Sequence, residues 1–211
     1  MPPARRRSPS QARSRAMVER IVAAGARVLE DSGHQDASTN RIAREAAVSP
    51  GSLYQYFPDK DAIIAEITRR LIDDFASAIT PALRQAATEQ PAVATGLVLG
   101  AVLDALQQHA PLLRALVDRV PAVEQQEALQ SVRGRLADIV YHSLAANRQA
   151  LRHADVERAT WTIVEFTQHL LVRYVLDSPS IEREDFLADV ARMILNLAFD
   201  IEVDQQDDQS H

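Results

Sequence analysis

Ser38–Lys60, STNRIAREAAVSPGSLYQYFPDK, is the stretch that decides the fold. Ile42, Ala43 and Ala46 fall at i, i+1 and i+4, one apolar stripe of a short helix. Ser38 or Thr39 can cap that helix, because either hydroxyl accepts from free N–H groups of its first turn. Ala46-Ala47-Val48 closes the stripe and turns the chain. Ser49-Pro50 restarts it with a capping hydroxyl and a proline at the first helical position, where no N–H is needed. The pattern predicts a second helix of about two turns ending at Phe57. Leu53 and Phe57, at i and i+4, point inward, and Gly51, Ser52, Tyr54, Gln55 and Tyr56 point outward. Phe57-Pro58-Asp59 then stops the chain, and Asp59 caps a third, longer helix.

Two short helices about a tight turn make a helix-turn-helix, and the outward face of the second suits a major groove. Ser52 and Gln55 carry groups that can hydrogen-bond base edges, Gln most naturally adenine. Gly51 has no side chain, so the backbone can approach a duplex closely. Tyr54 and Tyr56 offer hydroxyls of a length suited to phosphate oxygens. Lys60, the only lysine in the chain, sits in the first turn of the third helix, where ammonium and N–H groups can share a phosphate. An ordinary pair of core helices leaves Tyr54-Gln55-Tyr56 exposed for no reason.

The stretch resembles the DNA-binding domain of the TetR family of bacterial transcriptional regulators. Ser38-Thr39, Ile42-Ala43, Val48-Ser49, Gly51-Ser52-Leu53-Tyr54, Tyr56-Phe57 and Lys60 carry the resemblance, which extends to about residue 65. It implies phosphate contacts from Thr39, Tyr54, Tyr56 and Lys60. It also implies that Asn40, Pro50, Gly51, Ser52 and Gln55 face bases. One departure is Ala47, where the family usually has glycine in the turn. An alanine there needs a different turn or a left-handed conformation costing about 1 kcal/mol or more.

Composition bounds the alternatives. The chain has 211 residues, 46% apolar and 25% charged, as an ordinary soluble protein of one or two domains has. It has no cysteine, which excludes disulfides, thiol catalysis and cysteine-ligated zinc. The longest uncharged run, Gln90–Leu103, is too short to span a bilayer. No secretory signal is evident, so a cytoplasmic location is expected, with no membrane partner. Net charge is −6, yet residues 1–60 carry +4 and residues 61–211 carry −10. A basic front on an acidic body is expected where only one end meets phosphates.

In chain order, residues 1–13 read as a flexible basic arm whose Arg5, Arg6 and Arg7 can enter a minor groove or simply add unspecific attraction. A first helix begins at Ser8-Pro9 or a turn later near Ser14, and Gly33 ends it as a left-handed cap. Residues 14–60 then form the helix-turn-helix domain. The helix from Asp59 repeats Ile63, Ile64, Ile67, Leu71, Phe75 and Ile79 and reaches Thr80, where Pro81 ends or kinks it. It is a rigid connection to an all-α second domain, residues 61–203, for about nine helices in all. The prolines divide that domain into helices at Pro91–Gln108, Pro111–Arg119 and Val123–Asn147. A very apolar helix spans Asp155–Leu176, and a last one, capped by Ser180, runs to about Glu202. Residues 204–211 form a polar tail.

The last two helices are apolar on more than one side, which calls for a second neighbour. The resemblance implies a homodimer built through them as a four-helix bundle, with Tyr174, Val190, Ile194, Leu197 and Phe199 as seam residues. Two-fold symmetry then sets the recognition helices about 34–36 Å apart on a palindromic site. The resemblance also implies a pocket for a small-molecule effector. Its candidate residues are His109, Tyr141, His142, Trp161, Glu165, Gln168 and His169, Trp161 foremost as a wall. No cofactor or metal is expected. A ligand-independent architectural or protein-interaction factor is the alternative. The six histidines lack metal or catalytic spacing, and nucleophile-elbow, phosphate-loop and dinucleotide motifs are missing, so an enzyme is not expected.

Overall fold

The computed structural model describes residues 9–117, 134, 136–138, 140–146 and 155–199. The fold is all-α. The helices are α1 (Pro9–Asp36), α2 (Thr39–Glu45), α3 (Pro50–Tyr54), α4 (Lys60–Ala86), α5 (Pro91–Gln108) and α6 (Ala110–Val117). Helical residues 134, 136–138 and 140–146 follow as α7, then α8 (Val156–Asp177) and α9 (Arg183–Ala198). The polar tail and Arg5–Arg7 lie outside the described residues.

The chain divides into two compact units, Met1–Asp74 with His109–Leu129, and Phe75–Gln108 with Gln130–His211. The sequence reading placed the division at 60/61 and assigned everything beyond it to the second domain. The first unit instead takes in α6, because Leu112 and Leu116 complete its core. That core joins Ile21, Val28 and Leu29 of α1, Ile42 of α2, Leu53 of α3 and Ile63, Ile64 and Ile67 of α4. Leu53 is wholly buried, and burial of a leucine contributes about 2 kcal/mol. Gly25 of α1 faces two isoleucines of α4. A Cβ there would lie 3.0 Å from Ile63 Cγ2 and 3.0 Å from Ile67 Cδ1.

Several boundaries differ from the sequence reading. α1 starts at Pro9, the earlier of the two possible starts, so residues 9–13 belong to a helix and not to a flexible arm. Gly33 does have positive φ, 70°, but its ψ of 176° is extended, and helical structure resumes to Asp36. α4 passes through Pro81 to Ala86, and Thr80 Oγ1 donates to the Ala76 carbonyl at 2.6 Å just before it. α9 begins at Arg183 behind Glu182, so Ser180 is not its cap, and it ends at Ala198, short of Glu202.

The turn between α2 and α3 is a Schellman closure. The Val48 N–H donates to the Ala43 carbonyl at 2.9 Å, and the Ala47 N–H donates to the Arg44 carbonyl at 3.1 Å. Such a closure needs a left-handed residue between them, and Ala47 has φ 53°. Left-handed alanine costs about 1–2 kcal/mol, whereas glycine adopts the conformation freely but loses more chain entropy. Ala47→Gly is therefore expected to stabilise the first unit by about 0.5–1 kcal/mol and raise its melting temperature by a few degrees. Thermal unfolding followed by circular dichroism checks this, and an unchanged or lower midpoint would refute it.

Candidate nucleic-acid interface

Three local devices aim α3. Ser38 Oγ accepts from the Arg41 N–H at 3.3 Å and opens α2. Ser49 Oγ accepts from the Ser52 N–H at 3.1 Å and opens α3, with Pro50 in the first turn. Asp59 Oδ1 accepts from the Ala62 N–H at 2.8 Å and opens α4. A fourth device is long-range. Arg20 of α1 donates through one nitrogen to the Ala46 and Ala47 carbonyls, at 2.8 and 3.0 Å, and so holds the end of α2. Arg27 of α1 pairs with Glu45 at 2.8 Å beside it. Nothing in the sequence pointed to Arg20, since its partners are 26 and 27 residues away.

Of the nine residues expected at bases and phosphates, five stand exposed and four are half-buried. Asn40, Pro50, Gly51 and Gln55 are exposed and Ser52 is half-buried. A Cβ built at Gly51 meets nothing nearer than Ser49 Oγ at 4.0 Å, so this backbone is open to a close partner. Tyr54 is 51% exposed, and its hydroxyl lies 2.9 Å from Thr39 Oγ1. Either oxygen can donate, so the pair is a hydroxyl bridge from α3 to the first turn of α2. Lys60 is half-buried at the start of α4. Two details change. α3 ends at Tyr54 with Gln55 as its cap, because the Leu53 carbonyl takes both the Tyr56 and Phe57 N–H groups and tightens the last turn. Tyr56 does not stand outward as Tyr54 does; it is partly buried against the core of the first unit.

An ion-pair chain ties α4 to α1. Glu66 accepts from Arg69 at 2.8 Å and from Arg70 at 2.9 Å, and Arg70 also donates to Glu19 at 2.5 Å. Arg69 reaches on to Asp73 at 2.6 Å. The hydrogen bond from Arg69 leads in drawing the Glu66 carboxyl down from 4.5 to about 2, against the opposing effect of burial, and Arg70 adds to it. A depressed carboxyl contributes stability that is complete above its unfolded pKa and is lost as pH falls through the folded one. The advantage of the wild type over Glu66→Gln should therefore close between about pH 4.5 and pH 2. Acid unfolding of the two proteins measures it, and a gap that stays constant over that range would contradict it.

Two family models match the chain. The model of bacterial regulatory proteins of the tetR family covers residues 21–67, and the tetracyclin repressor-like C-terminal domain model covers residues 90–197. The protein belongs to the TetR family. It is a TetR-family DNA-binding transcriptional regulator. Among curated proteins it is similar to the HTH-type transcriptional regulator BetI of Cronobacter sakazakii, at 36% identity over 94 residues, 43% of this chain and 45% of that protein. It is also similar to the HTH-type transcriptional regulator HbdR of Aromatoleum sp. (strain CIB), at 36% identity over 55 residues, 26% of this chain and 24% of that one. The matches thus span less than half the length of these relatives. Among solved structures, the fatty acid degradation regulator FadR from Bacillus halodurans aligns with a TM-score of 0.69 at 15% identity, covering 90% of this chain and 97% of that one. A TetR-family regulator from Streptomyces coelicolor aligns with a TM-score of 0.68 at 18% identity, covering 87% and 80%. These two likenesses show the fold.

None of the effector candidates of this TetR-family chain is buried. His109 lies in the first unit and the other six in the second. Trp161 is 65% exposed, so it is not a buried wall. Tyr141, His142 and His169 are exposed too, Tyr141 and His142 edge to face at 5.8 Å, while Glu165 and Gln168 are half-buried. The inward polar groups of α8 are Thr160 and Thr167, which the sequence reading passed over. The seam candidates also divide. Val190 and Ile194 are buried inside their own protomer, where α9 packs on α5, and cannot form an outer seam. Tyr174 stacks on Phe186 at 4.0 Å and donates to the Ile181 carbonyl at 2.8 Å. Leu197 and Phe199 are half-buried. Among the described residues no acidic or histidine cluster could hold a metal, and no helix is long and apolar enough to cross a membrane.

Proposed function

We propose that this TetR-family regulator is a repressor that binds a palindromic operator as a homodimer and is released by a small-molecule effector. The observation that carries the DNA half of the reading is the Thr39–Tyr54 hydroxyl bridge beside the exposed Gly51 and Gln55 and the half-buried Ser52. It fixes two hydroxyls for phosphates next to groups suited to base edges. Asn40, Pro50 and Lys60 extend the same surface, and Tyr56 supports it from behind. The dimer half rests on the apolar groups left outside the second unit. Trp161 on α8 and Met193 on α9 are 65% and 48% exposed, and Leu197 stands one turn beyond Met193. The effector half rests on the family and on the inward polar groups of α8. A useful effector must favour the released form by about a hundredfold, or about 3 kcal/mol, and α4 carries the movement.

Selection of bound fragments from the source genome by the purified protein tests the reading. It predicts one enriched palindrome whose half-sites lie one duplex turn apart, and an apparent mass of two chains per site. Enrichment without sequence preference would refute it.

A further inference from the structure

Among the described residues, helix hydroxyls that donate back to the carbonyl four residues earlier include Ser32 to Val28, Thr80 to Ala76, Thr95 to Pro91 and Thr162 to Arg158, at 2.6–2.9 Å. Thr160 and Thr167 do not. Their hydroxyl oxygens are out of contact with solvent and have no hydrogen-bond partner. Thr160 is 6% exposed and is the only buried polar residue among those described. An unsatisfied buried hydroxyl costs about 1–3 kcal/mol, so two on one helix require a reason.

Their placement supplies one. Thr160 and Thr167 are seven residues apart, two turns, and so share one face of α8 roughly 10 Å apart along the axis. Ile163, Val164 and Leu171 share that buried face. α5 and α9 pack on α8, and the residues they bury are Leu99, Val102, Leu103, Ala105, Val190, Ile194 and Ala198. None of these side chains has a polar atom, so a charged group brought among them would meet aliphatic surface only, and Arg183 and Asp104 on the same two helices are already paired with each other at 2.5 Å.

We propose that Thr160 and Thr167 are the polar contacts of the effector site. The effector is then an elongated, uncharged, largely aliphatic molecule with hydrogen-bonding oxygens near both ends. This rests on the effector reading above and narrows it to a chemical class. Each hydroxyl can donate to a carbonyl or accept from an alcohol, and the aliphatic residues between them meet the chain.

The test uses the full-length protein, calorimetric titration and two matched probes. Methyl 10-hydroxydecanoate is neutral; 10-hydroxydecanoate lacks its ester methyl and carries one negative charge at neutral pH. The ester is expected to bind at least tenfold more tightly than the carboxylate, and Thr160→Val and Thr167→Val are each expected to weaken the ester about tenfold. Without ligand, each valine variant is expected to melt at or above the wild-type temperature, since it removes an unpaired hydroxyl at nearly constant shape. Equal or tighter binding of the carboxylate, ester binding indifferent to both valines, no ester binding, or a lower melting temperature of the free variants overturns the proposal. Release from the selected operator fragment separates the two levels. If a metabolite extract releases the wild type and the ester does not, this inference fails and the effector reading stands. If neither releases it, both fail.

Discussion

Gly25→Leu is expected to disrupt the DNA-binding head and abolish operator binding, although Gly25 touches no part of the proposed DNA surface. A bare Cβ at this position already stands 3.0 Å from atoms of Ile63 and Ile67, which are both buried core residues. Alanine therefore sets about 1 kcal/mol of helix propensity against a tight contact, while leucine places three more carbons where α4 already is. The cost is about 3 kcal/mol or more, a large part of the stability of a small unit. α4 must then withdraw from α1, and the core that holds Leu53, and with it α3, opens. Gly96 in α5 is the control, because a Cβ there meets nothing within 4 Å. Gly96→Ala should stabilise its helix by about 1 kcal/mol. Melting followed by circular dichroism distinguishes them; equal effects at the two glycines would contradict the packing argument.

The second large effect is on binding alone. Tyr54→Phe removes the hydroxyl that bridges to Thr39 and reaches for phosphate, and half of this side chain is already in solvent. The fold should therefore persist. A hydrogen bond to a charged oxygen is worth about 1.5–3 kcal/mol, so each lost contact weakens binding about tenfold or more. Lys60→Ala removes a cation, and two copies per dimer should lower the salt slope of binding by about 2. The two substitutions together are expected to cost a hundredfold or more.

The head was legible because its signals are local. Ser38, Ser49 and Asp59 each cap a helix from the position just before its first residue, and the caps form as the residue types predict. Ala47 was legible as a departure from the family's glycine, which left a different turn or a left-handed residue as the two outcomes, and its φ is positive. The end of α3 and the inward lean of Tyr56 were not, because they depend on the core that Tyr56 packs against. Arg20 was invisible because a helix surface does not disclose a carbonyl 26 residues on. In the second unit, periodicity showed that α8 and α9 are apolar on two sides, but not which side meets the protomer's own α5. Val190 and Ile194, expected at the seam, are buried within the protomer, while Trp161, expected as a pocket wall, is exposed. Thr160 and Thr167 were not legible, because threonine sits on buried and exposed helix faces alike and only the packing of α8 shows their hydroxyls to be unpartnered.

The central claim is that the exposed surface of α3 and the adjoining helix starts binds operator DNA. The most direct measurement is equilibrium titration of the selected genomic fragment, by fluorescence anisotropy at several salt concentrations, with wild type and the Tyr54→Phe/Lys60→Ala double variant. The account predicts an unchanged melting temperature, at least hundredfold weaker binding and a salt slope smaller by about 2. A folded double variant that binds with wild-type affinity and slope would contradict it.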